Sequence, residues 1–124
     1  GVVFTGFVPD EELDTVFKES VAYVWPSLYE GFGLPPLEAM AKGTPVISSD
    51  EPCMKEILGE GASYFSGRDI SSMERAMEKA LDGSLDREGL VEKGYIQAGR
   101  YSWKRMGKET LDIYREIFKK GDRK

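Results

Sequence analysis

Residues 21–41 constrain the fold of this chain more than any other part of its sequence. The segment opens with an apolar run at residues 21–25 that predicts a buried strand. It closes with residues 37–41, whose composition favours a short helix, and a turn containing Gly31 and Gly33 lies between the two. A strand, a glycine-containing turn and a helix in this order begin a βαβ unit, so the segment predicts an α/β domain.

The alternation of strands and helices continues along the chain. Strands are predicted at residues 2–4, 22–25, 46–48 and 62–65. Helices are predicted at residues 10–20, 37–41, 54–58, 70–81, 86–100 and 103–118, with a polar tail at 121–124. This order predicts a Rossmann-like parallel sheet with flanking helices, in a chain that ends in helices. Ligands of open α/β sheets bind outside the carboxyl ends of the strands, which is where the 26–38 loop is expected to lie.

Two carboxylates, Glu30 and Glu38, flank this turn with seven residues between them. Backbone N–H groups at a glycine turn and a helix start attract anions, whereas carboxylates accept hydrogen bonds from sugar hydroxyls. Together they predict a site for a nucleotide sugar or a sugar phosphate. We expect Glu38 near the N-terminus of the helix that follows Pro36, where the helix dipole favours its charge. The alternatives are that both glutamates are solvated and that Gly31 and Gly33 only permit a positive φ in the turn.

Several ordered segments resemble the family 4 retaining glycosyltransferases of the GT-B superfamily, a group similar to glycogen synthase and sucrose-type synthases. Residues 4–13 (FTGFVPDEEL) resemble the strand, turn and helix that open this region of the family. Residues 26–35 (PSLYEGFGLP) resemble its donor-binding loop, and residues 38–47 (EAMAKGTPVI) its continuation. A weaker likeness, Ser102-Trp103, precedes the last helix. In contrast, Glu51 and Pro52 stand where the family usually has glycines, which argues against a ligand role for residues 51–56.

The resemblance implies roles for individual residues. Glu30 would be the catalytic residue that contacts the hydroxyls of the donor sugar. The substrate-binding residues would be Gly31, Phe32, Gly33, Leu34 and Glu38. Glu38 would hold the ribose hydroxyls, and the backbone N–H groups of residues 32–34 would reach the sugar and the diphosphate. The Phe32 ring is interpreted as a plug in the domain core, with a ligand-facing ring as the alternative. No metal and no cofactor are implied, because the nucleoside diphosphate sugar is a substrate.

The resemblance also implies that residues 1–124 are part of a longer enzyme. They would form a partial nucleotide-sugar-binding domain, a truncated GT-B C-terminal domain, with the N-terminal acceptor domain absent. The parent would transfer a hexosyl unit from a nucleoside diphosphate sugar to an acceptor hydroxyl and keep the anomeric configuration. An Arg–Lys pair that neutralises the diphosphate is also expected outside this chain, since Lys18 is the only basic residue among residues 1–41. We therefore expect the chain alone to be inactive.

Two other interpretations stay open on the sequence. One is a non-catalytic α/β module that completes its fold with a partner polypeptide. The other is an enzyme of similar architecture, like a phosphorylase or a sugar-nucleotide epimerase, against which the PSLYEGFGLP segment argues. Self-association through an exposed sheet edge is a further expectation, because unpaired strands recruit partners.

Composition narrows the classes of function. A net charge of −5 argues against nucleic acid as a partner, and the chain has no histidine for acid–base chemistry or metal ligation. The single cysteine, Cys53, allows no internal disulfide and is interpreted as a small apolar residue. No apolar run approaches the roughly 20 residues of a membrane span. These features favour a cytoplasmic protein, with peripheral membrane association of the parent left open.

Overall fold

The computed structural model describes residues 1–121, with side chains through residue 119. Three strands and six helices follow one another in this part of the chain. The strands are β1 (Tyr23–Trp25), β2 (Val46–Ser49) and β3 (Ala62–Phe65). The helices are α1 (Asp10–Glu19), α2 (Leu34–Ala41), α3 (Pro52–Leu58), α4 (Ile70–Leu81), α5 (Arg87–Ala98) and α6 (Trp103–Gly121), and a 3-10 turn spans Gly59–Gly61. The predicted polar tail began at Gly121, which is the last residue of α6; the rest of it lies outside the described residues.

The strands form one parallel sheet in the order β1-β2-β3. Tyr23 pairs with Val46, and Val46 pairs in turn with Ala62. All four residues of the central strand β2 are buried, whereas β1 is half-buried, although its apolar sequence predicted a buried strand. Within the described sheet β1 pairs only with β2, so it is an edge strand. The prediction of a Rossmann-like parallel sheet with flanking helices is confirmed.

Helices pack on both faces of the sheet. The larger core is formed between the sheet and the α2, α3 and α5 layer. Its buried members include Leu37, Met40, Val46, Met54 and Leu58. The opposite face is covered by α4, whose Ala76 packs with Ile47 and Phe65. Successive residues of β2 therefore serve opposite cores, as the two-residue period of a strand requires.

Local capping signals decided the bounds of the later helices. The Asp69 carboxylate accepts a hydrogen bond from the Ser71 N–H at the start of α4, and the Asp86 carboxylate accepts one from the Gly89 N–H at the start of α5. Gly94 lowers the intrinsic stability of α5, but a Cβ there would lie 3.3 Å from the Met40 side chain. The glycine thus lets α5 approach α2 closely.

The strand predicted at residues 2–4 is wrong. These residues are irregular, and the exposed fractions of the Val2, Val3 and Phe4 side chains are 84%, 82% and 94%. A short β-branched run forms a strand only when a neighbouring strand completes its hydrogen bonds, and none of the described strands lies beside it. The following helix starts one residue early, with Pro9 rather than Asp10 as its N-cap.

The last helix, α6, carries an apolar stripe that no other described element covers. Every described side chain on α6 is exposed, including Trp103 at 71% and Phe118 at 78%. The sequence predicted apolar residues at helical spacing here, and these residues form one face of the 19-residue helix. The charged side chains lie on the opposite face. Among the described helices, α6 included, none combines the length and hydropathy that a membrane span requires.

Candidate functional site

The three loops that leave the carboxyl ends of the strands meet at one edge of the sheet. The loop at residues 26–33 follows β1, the Asp50 region follows β2, and the Gly67 region follows β3. The Asp50 N–H donates to the Phe65 carbonyl at 2.9 Å, and the Gly67 N–H donates to the Asp50 carboxylate at 3.2 Å. The loop with the predicted site residues therefore lies at the edge where ligands of such sheets bind.

Glu30 is held within this loop by a hydrogen bond. The Ser27 hydroxyl donates to Glu30 Oε1 at 2.9 Å and has the Tyr29 carbonyl as a second acceptor at 3.2 Å. The bond to the carboxylate is the stronger of the two because its acceptor is charged. The carbonyl of Ser27 itself accepts a hydrogen bond from the hydroxyl of Ser49 at the end of β2. The Glu30 carboxylate is thus half-buried and oriented rather than freely solvated.

Gly33 is required by its own backbone at the start of α2. Its φ is 94°, which side-chain-bearing residues rarely adopt, and a Cβ would lie 2.8 Å from Met54 Cε. Leu34, Pro35 and Pro36 then form the first turn of the helix. The two prolines fit there because the N–H groups of a first turn have no helical acceptor.

The turn presents four consecutive backbone donors. Among the hydrogen bonds of the described residues, none has the N–H of Gly31, Phe32, Gly33 or Leu34 as its donor. The next two residues are prolines and have no N–H to offer. The free donors at this helix start are therefore concentrated in residues 31–34, directly after Glu30.

Gly31 differs from Gly33 in conformation and in surroundings. The alternative that glycine here permits a positive φ does not apply to Gly31, whose φ lies outside that region. A Cβ on Gly31 would have no other atom of the described residues within 4 Å, so the space beside it is open. The fold therefore gives no packing reason for glycine at this position.

The Phe32 ring packs on Tyr101 and not in the domain core. The two rings meet edge to face, with centroids 5.3 Å apart and planes at 89°. Phe32 is 39% exposed, so the interpretation as a core plug is wrong. The Cys53 thiol lies 3.9 Å from the Phe32 carbonyl, a long contact that places α3 beneath the loop. The orientation of Phe32 therefore depends on the short connection between α5 and α6.

Glu38 lies one turn further along α2 than the sequence predicted. The helix begins at Leu34 and not after Pro36, so its first turn holds no acidic residue. Glu38 is exposed and about 6 Å along the axis from Leu34, on the same face of the helix. Burial, and secondarily the Glu38 charge, raise the pKa of Tyr23. Because Glu38 lies beyond the first turn of α2, the stabilisation of its charge by the helix dipole is small, although helical side chains lean back toward the N-terminus.

Within residues 1–121 no group of three or more His, Cys, Asp or Glu side chains is arranged to hold a metal ion. Lys18 lies in the last turn of α1, as its helical pattern predicted. The Lys55 ammonium is 3.9 Å from the Asp50 carboxylate, at the edge that carries the loop.

The sequence model of the glycosyl transferases group 1 family matches residues 1–97 of this chain. The chain belongs to that family. The match includes the Glu30 loop, α2 and all three strands, and therefore every residue that the sequence placed in the site.

Individual relatives agree with this assignment. The chain is 33% identical over 112 residues to the O-antigen chain mannosyltransferase B of Escherichia coli. The aligned region covers 90% of this chain and 29% of that protein. It is 44% identical over 77 residues to the O-antigen chain mannosyltransferase RfbU of Salmonella typhimurium, over 62% of this chain and 22% of that protein. The sucrose-phosphate synthase of Thermosynechococcus elongatus superposes with a TM-score of 0.78 at 28% identity, over 94% of this chain and 30% of that structure. The chain spans less than a third of each of these proteins.

The resemblance drawn from residues 4–13, 26–35 and 38–47 is thereby confirmed at the level of the family and of the GT-B fold. The roles of Glu30, Glu38 and residues 31–34 stay predictions. Sequence reasoning missed Ser49, which holds the loop, and Tyr101, which holds Phe32. Neither residue left a signal in the sequence, because each contact joins segments that only the fold brings together.

Proposed function

We propose that this chain is the donor-binding part of a family 4 retaining glycosyltransferase. The full-length protein would transfer a hexosyl unit from a nucleoside diphosphate sugar to an acceptor hydroxyl with the anomeric configuration kept. The observation that supports this most is the run of four free N–H groups in residues 31–34, next to the oriented carboxylate of Glu30. Two of the relatives described above are mannosyltransferases, which favours a hexosyl donor.

The two halves of the site suit the two charges that glycosyl transfer creates. Negative charge develops on the departing diphosphate, which the N–H groups of residues 31–34 and the positive end of α2 would stabilise. Positive charge develops on the sugar ring, which the Glu30 carboxylate would stabilise from the other side. Because Ser27 already holds Glu30, little reorganisation is needed when the charge appears.

Glu38 would serve binding and not the chemical step. Its exposed carboxylate accepts hydrogen bonds only, so it matches the two hydroxyls of a ribose. Each hydrogen bond to a charged group contributes on the order of 1.5–3 kcal/mol. Loss of the charge in Glu38→Gln should therefore weaken nucleotide binding roughly tenfold or more.

The test compares Glu38→Gln and Glu30→Gln in the full-length protein. Calorimetric titration with nucleoside diphosphate should show the loss of affinity in Glu38→Gln, whereas Glu30→Gln should bind normally and turn over more slowly. Glu78→Gln, an exposed glutamate on α4, is the matched control and should resemble the unsubstituted protein. If Glu38→Gln bound the nucleotide as tightly as the unsubstituted protein, the ribose assignment would be wrong.

A second experiment addresses the alternative of a non-catalytic module. We expect the 124-residue chain alone to show no transferase activity, because the acceptor-binding part would lie on the rest of the full-length protein. A radiolabelled-donor assay with a broad panel of acceptors measures this. Turnover by the pure chain above that of its Glu30→Ala variant would contradict the expectation, and a full-length protein without any transfer would favour the module.

A further inference from the structure

We propose that Ser49 is a positioning residue for Glu30 and acts through Ser27. The proposal rests on the proposed function, in which Glu30 faces the donor sugar. It concerns two hydrogen bonds in series that connect the fully buried central strand to the carboxylate at the surface.

The first bond attaches the loop to the sheet. Ser49 is the last residue of β2 and is 0% exposed, and its hydroxyl donates to the Ser27 carbonyl. Among the hydrogen bonds of the described residues, the only other one that joins residues 26–33 to a different element is the long contact from Cys53. The β1–β2 ladder ends at the pair of Trp25 and Ser48, so the chain has no sheet partner where the loop begins. The Ser49 hydroxyl therefore fixes the start of the loop.

The second bond transmits this position to the carboxylate. Ser27 donates to Glu30 Oε1 at 2.9 Å, so the hydroxyl and the carbonyl of the same residue are both engaged. Without the bond from Ser49, rotation of the Ser27 peptide would release the carbonyl and move the Ser27 hydroxyl away from Glu30. A carboxylate displaced by about 1 Å from a reacting centre can cost about a hundredfold in rate.

Ser48 provides an internal control. It precedes Ser49 on β2 and is equally buried at 0% exposure, but its hydroxyl has no hydrogen-bond partner among the described residues. The two serines thus share residue type, strand and burial, but their side chains point to opposite faces of the sheet, and Ser49 alone bonds to the loop. A general need for buried serine in β2 would give similar effects of substitution at both positions.

The room around Ser49 determines which substitution is informative. Ser49 is 0% exposed and lies beside Gly67, where an added Cβ would come within 3.1 Å of Ser49 Cβ, so a larger side chain at position 49 would confound the test. Ser49→Ala removes the hydroxyl and adds nothing. Ser27→Ala removes the second bond at a less buried position, and Ser27→Thr keeps its hydroxyl.

The experiment measures kcat, KM and nucleoside diphosphate binding for these variants in the full-length protein. We expect kcat to fall about tenfold to a hundredfold in Ser49→Ala and Ser27→Ala, since an oriented group loses its position. KM for the donor and the stoichiometry of nucleoside diphosphate binding should stay unchanged. Ser48→Ala should have the normal kcat, and Ser27→Thr should recover most of the rate lost in Ser27→Ala.

Combination with Glu30→Gln separates this proposal from the proposed function. If Ser49 acts through Glu30, then Ser49→Ala should lower kcat little further in the Glu30→Gln background. An additive loss there, a normal kcat in Ser49→Ala, or an equal loss in Ser48→Ala would overturn the positioning role alone. A normal kcat in Glu30→Gln would overturn the proposed role of Glu30 and this inference with it. If Ser49→Ala does not fold, the same comparisons with Ser27→Ala decide.

Discussion

Helices α2 and α6 are both rich in apolar side chains, and the two differ in what covers them. In α2, Leu37 and Met40 are 6% and 1% exposed, because the sheet and α5 enclose them. In α6, Trp103 and Phe118 are 71% and 78% exposed, and no described element packs on them. An apolar periodicity therefore identifies the face of a helix that avoids water, but it does not identify the surface that receives this face.

The largest effect expected from this difference is on stability. Ile47→Ala, in the central strand, should lower the free energy of unfolding by about 2–5 kcal/mol, since it leaves a cavity in a closed core. Ile117→Ala, on the exposed stripe of α6, should change it by less than about 0.5 kcal/mol. Urea unfolding of the 124-residue chain measures both values. A large effect of Ile117→Ala would show that α6 is packed in solution.

Substitution of the two glycines of the loop should give a smaller difference in the free energy of unfolding. Gly33→Ala should cost about 1–2 kcal/mol, because alanine is strained at a φ of 94°, with a further cost if the side chain of Met54 cannot move. Gly31→Ala should leave the free energy of unfolding nearly unchanged, but it should weaken nucleoside diphosphate binding in the full-length protein. Urea unfolding and titration calorimetry measure the two properties. Equal destabilisation by the two substitutions would contradict the described loop.

Stability at alkaline pH should depend on a tyrosine in the packed region. Burial raises the pKa of Tyr64 from 10.0 to about 12, and its hydroxyl donates to the Gly59 carbonyl at 2.7 Å. The folded state thus holds the Tyr64 proton more tightly than the unfolded chain does. This contribution is complete below pH 10.0 and is lost as the pH rises through about 12.

The free energy of unfolding, measured between pH 9 and pH 12, tests this effect. This range brackets the ordinary pKa of tyrosine of about 10. Tyr64→Phe should be less stable at neutral pH and should show a weaker decline at high pH. Tyr114→Phe, at an exposed position on α6, is the matched control and should follow the unsubstituted chain. A decline of the same slope in Tyr64→Phe would assign the alkaline transition to other groups.

The smallest expected effect is that of removing α6. A chain that ends at Ser102 should unfold with nearly the same midpoint as the longer chain, because the described side chains of α6 are all exposed. It should also associate less with itself, as light scattering would show, since large exposed apolar patches promote association. A chain that ends before α5 is the control and should not fold, because Gln97 of that helix is buried and donates to the Ile57 carbonyl at 2.6 Å.

The sequence predicted the parts of this molecule that local interactions determine. The bounds of β3 and α4 agree with the structure because Asp69 and the glycines near the ends of these elements are local signals. The loop after β1 was placed correctly because the carboxyl ends of parallel strands meet at one edge. The family was recognised from contiguous motifs, which likewise need no knowledge of distant contacts.

The errors concern contacts between residues that are far apart in the sequence. Residues 2–4 have the composition of a strand but no neighbouring strand. The start of α2 was predicted three residues late, because the helix was expected to follow Pro36, whereas Pro35 and Pro36 lie in its first turn. Neither the bond from Ser49 nor the contact of Phe32 with Tyr101 has a local signature, since each joins segments that only the fold brings together.

The order of the sheet has a consequence for how this chain folds. Each strand pairs with the strand that immediately precedes or follows it in the sequence, and no described strand is inserted between two earlier ones. Every pairing therefore needs only one crossover connection, which is the shortest connection that a parallel pair permits. The entropic cost of loop closure is therefore divided among several short loops. During synthesis the sheet can grow outward from β1 one strand at a time, without waiting for α6 to leave the ribosome.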